Sequence, residues 1–233
     1  MKHKMIKLIA FDLDGTLAEI GEAMPEEAVR LLQEIENRGI RIAVCSGKPT
    51  YYLCGFMRQV GLKKPILVGE NGAVIQFGID LPPRDFYILP YSDEAKKTIS
   101  FFHGEILKRI PDVWYQPNLV ELTPFLKREE DFAVVEACIE ECAEHFRDVN
   151  VYRFVDCFDF VPKGITKRKG LEYLGELLLV RPEETVAVGD GSNDLPMFEY
   201  AGYSVGVGEK VKDHVDRCFE NTTEMLKFLL KEM

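Results

Sequence analysis

The sequence predicts an α/β fold: a parallel sheet core interrupted by an inserted α+β unit. Three observations carry this reading. Short apolar runs alternate with amphipathic helical stretches through residues 1–80, which is the rhythm of a parallel sheet. From 81 to 162 the chain turns rich in aromatics and prolines, and adjacent strand-like runs are broken by helices, the signature of an antiparallel α+β unit. The first rhythm then returns over 163–233. The domains read this way are 1–80 plus 163–233 for the core and 81–162 for the insertion.

Each element has its own signal. "KLIAFDLDG" is a buried strand ending on acids, and "PEEAVRLLQEIENRG" is a helix opened by Pro25 and closed by Gly39. "IRIAVCSG" is a second strand, a helical stretch follows to Gly61, and "PILVGENGAVIQF" reads as one further strand closed by Glu70, Asn71 and Gly72. Within the insertion, helices are expected over about Asp93 to Arg109 and Glu129 to His145, with strand-like runs in "VWYQPNLVELT" and "VNVYRFVDCFDFVP". "TKRKGLEYLGELL" is then helical, "TVAVGDG" a buried strand and "NDLPMFEYAG" a short helix. "YSVGVG" reads as the final strand and "TTEMLKFLLKEM" as the closing helix.

Composition narrows the function classes. With 46% hydrophobic and 29% charged residues the chain is ordinary globular material. A net charge of -10 disfavours nucleic acid or an anionic membrane surface as partner, because nothing offsets the repulsion. No apolar segment reaches the ~20 residues that span a bilayer. The start, "MKHKMIKLIA", has the basic-then-apolar order of a signal peptide but no small-residue cleavage site, and reads as a strand. Six scattered cysteines without a CxxC pair read as free thiols, which places the protein in the cytoplasm. Cys138 and Cys142 lie one helical turn apart, yet no third ligand at metal spacing accompanies them. Nothing in the pattern demands or forbids a homodimer.

The polar clusters fall at the carboxyl ends of three core strands, the edge where parallel α/β sheets bind ligands. They are Asp12 with Asp14, then Ser46 with Gly47 and Lys48, then Asp190 with Asn193 and Asp194. Residues two apart on a strand point the same way, so Asp12 and Asp14 both lean toward one site. Four acids at one edge repel unless a cation joins them, and oxygen ligands without histidine or cysteine favour Mg²⁺ over zinc. Ser46 and a lysine would complete a phosphate pocket. Other phosphate motifs fail: "CSGKPT" has Ile42 where a P-loop needs its first glycine, and "VGVGEK" has Val211 where a dinucleotide fingerprint needs its last. His3, His103, His145 and His214 form no cluster.

"FDLDGTL", the strand-end Ser46, a lysine before a helix in "PKGITKRKG", and "GDGSNDLPMF" resemble, in order, the four motifs of the haloacid dehalogenase-like phosphatase superfamily. The insertion between the second and third motifs resembles the cap of its Cof-type branch, set on a Rossmann-like core. The resemblance implies Asp12 as nucleophile forming an aspartyl-phosphate, and Asp14 as acid and then base. It implies Mg²⁺ held by Asp12, the Asp14 carbonyl and Asp190, with Asp194 in support. It also implies phosphoryl binding by Ser46, Gly47 and Lys167, with Asn193 helping to order that edge. Lys167 is chosen over Lys163 and Lys169 because Thr166 is a credible N-cap, which sets Lys167 at the helix start. One departure is Lys48, where many relatives carry arginine, since lysine lacks the bidentate fork.

The function expected is Mg²⁺-dependent hydrolysis of a small phosphorylated metabolite, either a sugar phosphate or a small acid such as phosphoglycolate. The cap would supply specificity, with Arg84, Trp114 and Asn118 as candidate contacts. Two rivals are weighed: a phosphomutase of the phosphomannomutase type, and a catalytically idle phosphate-binding regulator, which predicts losses among the key acids. All four acids are present.

Overall fold

The computed structural model describes residues 5–232; His3 and Met233, the last residue of the expected closing helix, lie outside them. The described chain divides into two compact units, one comprising the segments up to Tyr87 and from Thr166 onward, the other Ile88–Ile165. Among the described residues no helix is long and apolar enough to cross a membrane.

The first unit carries a sheet of eight strands. In chain order these are β1 (Leu8–Asp12), β2 (Arg41–Cys45), β3 (Ile66–Gly69), β4 (Val74–Phe77) and β5 (Asp85–Ile88), then, after the insertion, β10 (Thr185–Gly189), β11 (Tyr203–Val207) and β12 (Arg217–Phe219). The spatial order is β12-β11-β10-β1-β2-β3-β4-β5. From β12 to β3 every pairing is parallel, and β4 returns antiparallel to β3. β1 (LIAFD) and β10 (TVAVG) are buried at every position, as central parallel strands covered on both faces must be. Helices α1 (Glu26–Asn37), α2 (Thr50–Val60), α5 (Lys167–Leu178), α6 (Leu195–Tyr200) and α7 (Thr222–Glu232) belong to this unit. α1 opens after Pro25 with Glu26 and Glu27 in its first turn, which suits the positive end of the helix dipole. α2 ends on Gly61 in the left-handed conformation (φ 76°).

The second unit packs helices α3 (Asp93–Arg109) and α4 (Glu129–Glu141) on the short strands β6 (Trp114–Tyr115), β7 (Pro124–Phe125), β8 (Val149–Arg153) and β9 (Phe158–Pro162). β6 pairs with β7 and β8 with β9, all antiparallel, and bridges Leu122–Phe160 and Phe125–Cys157 link the two ribbons. Its core is aromatic, with Phe102, Phe132, Phe158 and Phe160 packed together. All six cysteines are free.

The structure revises several sequence expectations. "PILVGENGAVIQF" is a hairpin of two strands around a tight turn at Glu70–Gly72. The large sheet also takes in Asp85–Ile88, past the expected boundary at 81, and β12 follows the strand read as final. The α4 stretch leaves the α-helix at Glu141 and finishes in a 3₁₀ turn over Ala143–His145. "VWYQPNLVELT" is mostly a loop. Pro117 has no N–H to give a ladder, and Asn118 bonds to the Thr123 hydroxyl (2.9 Å) while its oxygen accepts from Gln116 (2.9 Å).

Candidate active site

Strand register aligns the polar ends. Asp12 pairs with Cys45, so Ser46 is the next residue on the neighbouring strand; Phe11 pairs with Val188, so Gly189 and Asp190 follow directly beside Asp12. The carboxylates of Asp12, Asp190 and Asp194 consequently offer oxygens within 4.8 Å of one another. Asp12 and Asp194 are buried, and Asp190 is half-buried. Asp14 stands just beyond the strand end, half-buried, and its carboxylate is outside that trio.

Lys167 enters the cluster from the start of α5. The Thr166 hydroxyl accepts from the Lys169 N–H (3.1 Å) and caps the helix. Lys167 Nζ donates to Asp12 Oδ1 (2.6 Å) and Asp194 Oδ1 (2.7 Å) with only 1% of its side chain exposed. Lys163 and Lys169 are exposed. A cation at a helix N-terminus opposes the dipole by under ~1 kcal/mol, far less than two charge-assisted hydrogen bonds in a dry site return.

The electrostatics follow from burial. Burial works against a charged Lys167, but Asp12 and Asp194 overcome it and hold the ammonium well above its ordinary range. Asp12 is pushed up to about 7, first by burial and then by Asp194 and Asp190, with Lys167 opposing. Asp190 is raised for the same reasons, burial first and Asp194 second. A bound cation would oppose these upward shifts, and with all three carboxylates ionised against one ammonium the cluster carries two negative charges, the complement of a divalent ion. An all-oxygen donor set with no histidine or cysteine suits a hard cation such as Mg²⁺, so the residues present fit the expected metal.

Several residues that sequence reasoning passed over organise the acids. The Thr16 hydroxyl is fully buried and donates to Asp190 Oδ1 (3.1 Å), and the Thr222 hydroxyl donates to the Thr16 carbonyl (2.5 Å). Asp194 Oδ2 accepts from the N–H groups of Asp190 (3.0 Å) and Gly191 (3.1 Å). Gly15 and Gly189 allow this crowding: a Cβ on Gly15 would stand 2.6 Å from Asp190 Oδ2, and one on Gly189 would stand 2.6 Å from Asp194 Cβ. The glycines and the threonine were visible in "DGT" and "GDG", but nothing in the sequence said which acid each one faces.

The remaining predicted residues lie as follows. Ser46 is buried and its Oγ accepts from the Lys48 N–H (3.1 Å). Gly47 packs against the Asn71 carboxamide. Asn193 is exposed, on the 3₁₀ turn Ser192–Asp194 that precedes α6. Among the candidate contacts of the insertion, Arg84 pairs with Asp80 on the surface (3.2 Å), exposed Trp114 stands edge-on to Phe125, and the Asn118 amide is engaged within its own loop.

A mixed α/β sheet thus brings an acid trio together at the ends of its central strands, with a buried lysine supplied by the start of α5. The chain belongs to the haloacid dehalogenase-like hydrolase family, whose model matches residues 9–82 and 85–224. It is 27% identical to a phosphoglycolate phosphatase of Methanopyrus kandleri, covering 98% of this chain and 99% of that one. It is 28% identical to phosphoglycolate phosphatase 1 of Saccharolobus solfataricus, over 93% and 90% of the two chains. A 5-amino-6-(5-phospho-D-ribitylamino)uracil phosphatase of Bacillus subtilis is 25% identical over 93% and 91%. The fold is shared with a Thermotoga maritima protein (TM-score 0.75, 21% identity, 96% and 97% covered) and with a sugar phosphatase of haloacid dehalogenase subclass IIB (TM-score 0.68, 21%, 97% and 100%).

Proposed function

We propose that the protein is a Mg²⁺-dependent phosphatase acting on a small phosphorylated metabolite, a sugar phosphate or a small phosphorylated acid such as phosphoglycolate. The observation that carries the reading is the Asp12–Asp190–Asp194 trio bound up with Lys167 at the carboxyl edge of the sheet. Support comes from membership of a hydrolase family and from relatives named as phosphatases of small phosphorylated compounds.

In this reading Asp12, Asp190 and Asp194, with the main-chain carbonyl of Asp14, would hold the metal. A bound Mg²⁺ supplies charge neutralisation of the phosphate oxygens. An Asp12 carboxylate oxygen attacks phosphorus; the ester P–O bond breaks, and Asp14 gives the leaving oxygen its proton. Asp14 then takes a proton from water, whose oxygen attacks phosphorus. The bond to Asp12 breaks, releasing inorganic phosphate and restoring both carboxyl groups to their starting states. Lys167 and Ser46 hold the phosphoryl oxygens as charge spreads over them. The inserted unit would set the choice of substrate.

The test is phosphate release across a panel of sugar phosphates, phosphorylated acids and nucleotides, with Mg²⁺ or with a chelator. The expected result is turnover of a few small compounds, dependent on Mg²⁺ and abolished in Asp12→Asn. Release from none of them, or equal release by Asp12→Asn, overturns the proposal.

A further inference from the structure

We infer that the turn Glu70–Asn71–Gly72, which the proposed mechanism does not use, is a positioning element that sets Ser46 and Lys167 at a fixed separation. The inference rests on the reading of those two residues as the phosphate-binding pair.

On one side the turn is clipped to the loop after β2. The Glu70 N–H donates to the Lys48 carbonyl (3.1 Å) and the Asn71 N–H to the Ser46 carbonyl (3.1 Å). The Asn71 carboxamide lies against Gly47, where an added Cβ would stand 3.4 Å from Nδ2 and 3.5 Å from Oδ1. On the other side the turn is pressed onto the start of α5. A Cβ on Gly72 would overlap the Thr166 carbonyl, standing 2.9 Å from its carbon, and Thr166 is the residue that caps the Lys167 helix. A Cβ on Gly170 would stand 2.8 Å from Gly72 Cα and 3.0 Å from Gly72 O. The loop that ends in Ser46 and Lys48 and the helix that begins with Lys167 thus share one spacer with no side chain at either helix contact.

The spacer is also held in a conformation that a flexible loop would not choose. Glu70 and Asn71 both have φ of 51°, and Gly72 has φ of 104°. Left-handed backbone suits asparagine and glycine but not glutamate, and such conformations persist where the surroundings over-determine them. Glu70 is nevertheless buried, 1% exposed. The metal-site acids sit on β1 and after β10 and are tied to the helix that bears on this spacer through Lys167, so displacing the turn should loosen phosphate while Mg²⁺ affinity holds or rises.

The experiment compares wild type with Gly72→Ala and Gly170→Ala by calorimetry, titrating Mg²⁺ and then inorganic phosphate into the Mg²⁺-saturated protein. Gly72→Ala should weaken phosphate about tenfold or more, because the added Cβ overlaps the Thr166 carbonyl and forces the Lys167 helix away from the Ser46 loop. Its Mg²⁺ affinity should stay within twofold of wild type or tighten, because Lys167 is drawn away from the acids. Gly170→Ala should change phosphate the same way, and it decides the matter if Gly72→Ala does not fold, because alanine is favoured over glycine inside a helix. A merely structural role would lower both affinities together, so parallel losses overturn the inference. Phosphate affinity within twofold of wild type in the folded variants overturns it too. Wild type that neither binds phosphate nor releases it from any compound refutes the functional reading itself, and this inference falls with it.

Discussion

Replacing Lys167 with methionine removes the ammonium that stands 2.6 Å from Asp12 and 2.7 Å from Asp194 and leaves the aliphatic stem to fill the space. Lys167 and both partners have side chains at most 6% exposed, so solvent screens these contacts little. Breaking a buried pair by deleting one member costs about 3–5 kcal/mol, because the surviving charge is left uncompensated. With a urea m-value of about 2–3 kcal/mol per molar, the midpoint for the first unit should fall by about 1–2.5 M in metal-free buffer. Mg²⁺ at a hundred times its dissociation constant adds about 2.7 kcal/mol to a protein that binds it only when folded. It should restore more to the variant than it adds to wild type, since the cation then supplies charge that Lys167 no longer does. Urea denaturation followed by tryptophan-independent circular dichroism, with chelator and with Mg²⁺, reads both quantities. A metal-free variant within 1 kcal/mol of wild type, or an equal Mg²⁺ increment in the two proteins, would refute the electrostatic reasoning.

Other perturbations test neighbouring parts of the account. Thr16→Val removes the hydroxyl that orients Asp190 and should weaken Mg²⁺ about tenfold or more, as losses of such supporting hydrogen bonds do; calorimetric titration measures it, and unchanged affinity would remove Thr16 from the account. The Lys7 ammonium, with the Arg181 N–H second, holds the Glu184 carboxyl down to about 2 from an ordinary 4.5. A folded pKa below the unfolded one gives stability that is present above pH 4.5 and lost as pH falls through about 2. A carbon-13 titration of Glu184 should therefore show its midpoint near 2, and a midpoint near 4.5 would contradict the pairing. Burial pushes the Cys45 thiol up to about 12, so iodoacetamide at pH 8 should spare Cys45 in the native protein and reach it in urea. Alkylation of native Cys45 at the denatured rate would show that the β2 end is open.

The parts of this molecule legible in the sequence are those where local chemistry and burial agree. Continuous apolar runs gave away β1 and β10 because a central parallel strand has no solvent face to alternate with. α3 runs over the expected Asp93–Arg109, and the structure adds its cap: the Ser92 hydroxyl accepts from the Ala95 N–H (3.1 Å). Asp12, Asp190 and Asp194 were visible as strand-end acids, and their meeting follows from strand register. What was not legible depends on long-range partners. Nothing local marks Thr16 as the donor to an acid 174 residues away, or β12 as an edge strand three residues long. The Glu70–Gly72 turn read as a strand ending, because a hairpin reversal and a strand terminus use the same glycine and asparagine. Gln116 to Thr123 read as a strand from its apolar and β-branched residues, while Pro117 and the Asn118 amide made it a loop.

The central claim is covalent chemistry at Asp12, and one measurement meets it directly. Mg²⁺-saturated protein is mixed with a hydrolysed substrate carrying labelled phosphorus, quenched in acid within a turnover, and digested for peptide mapping. The account predicts a labelled phosphoryl group on the peptide holding Asp12, present in wild type and absent in Asp12→Asn. Turnover with no label on that peptide, or label carried by another residue, would contradict it.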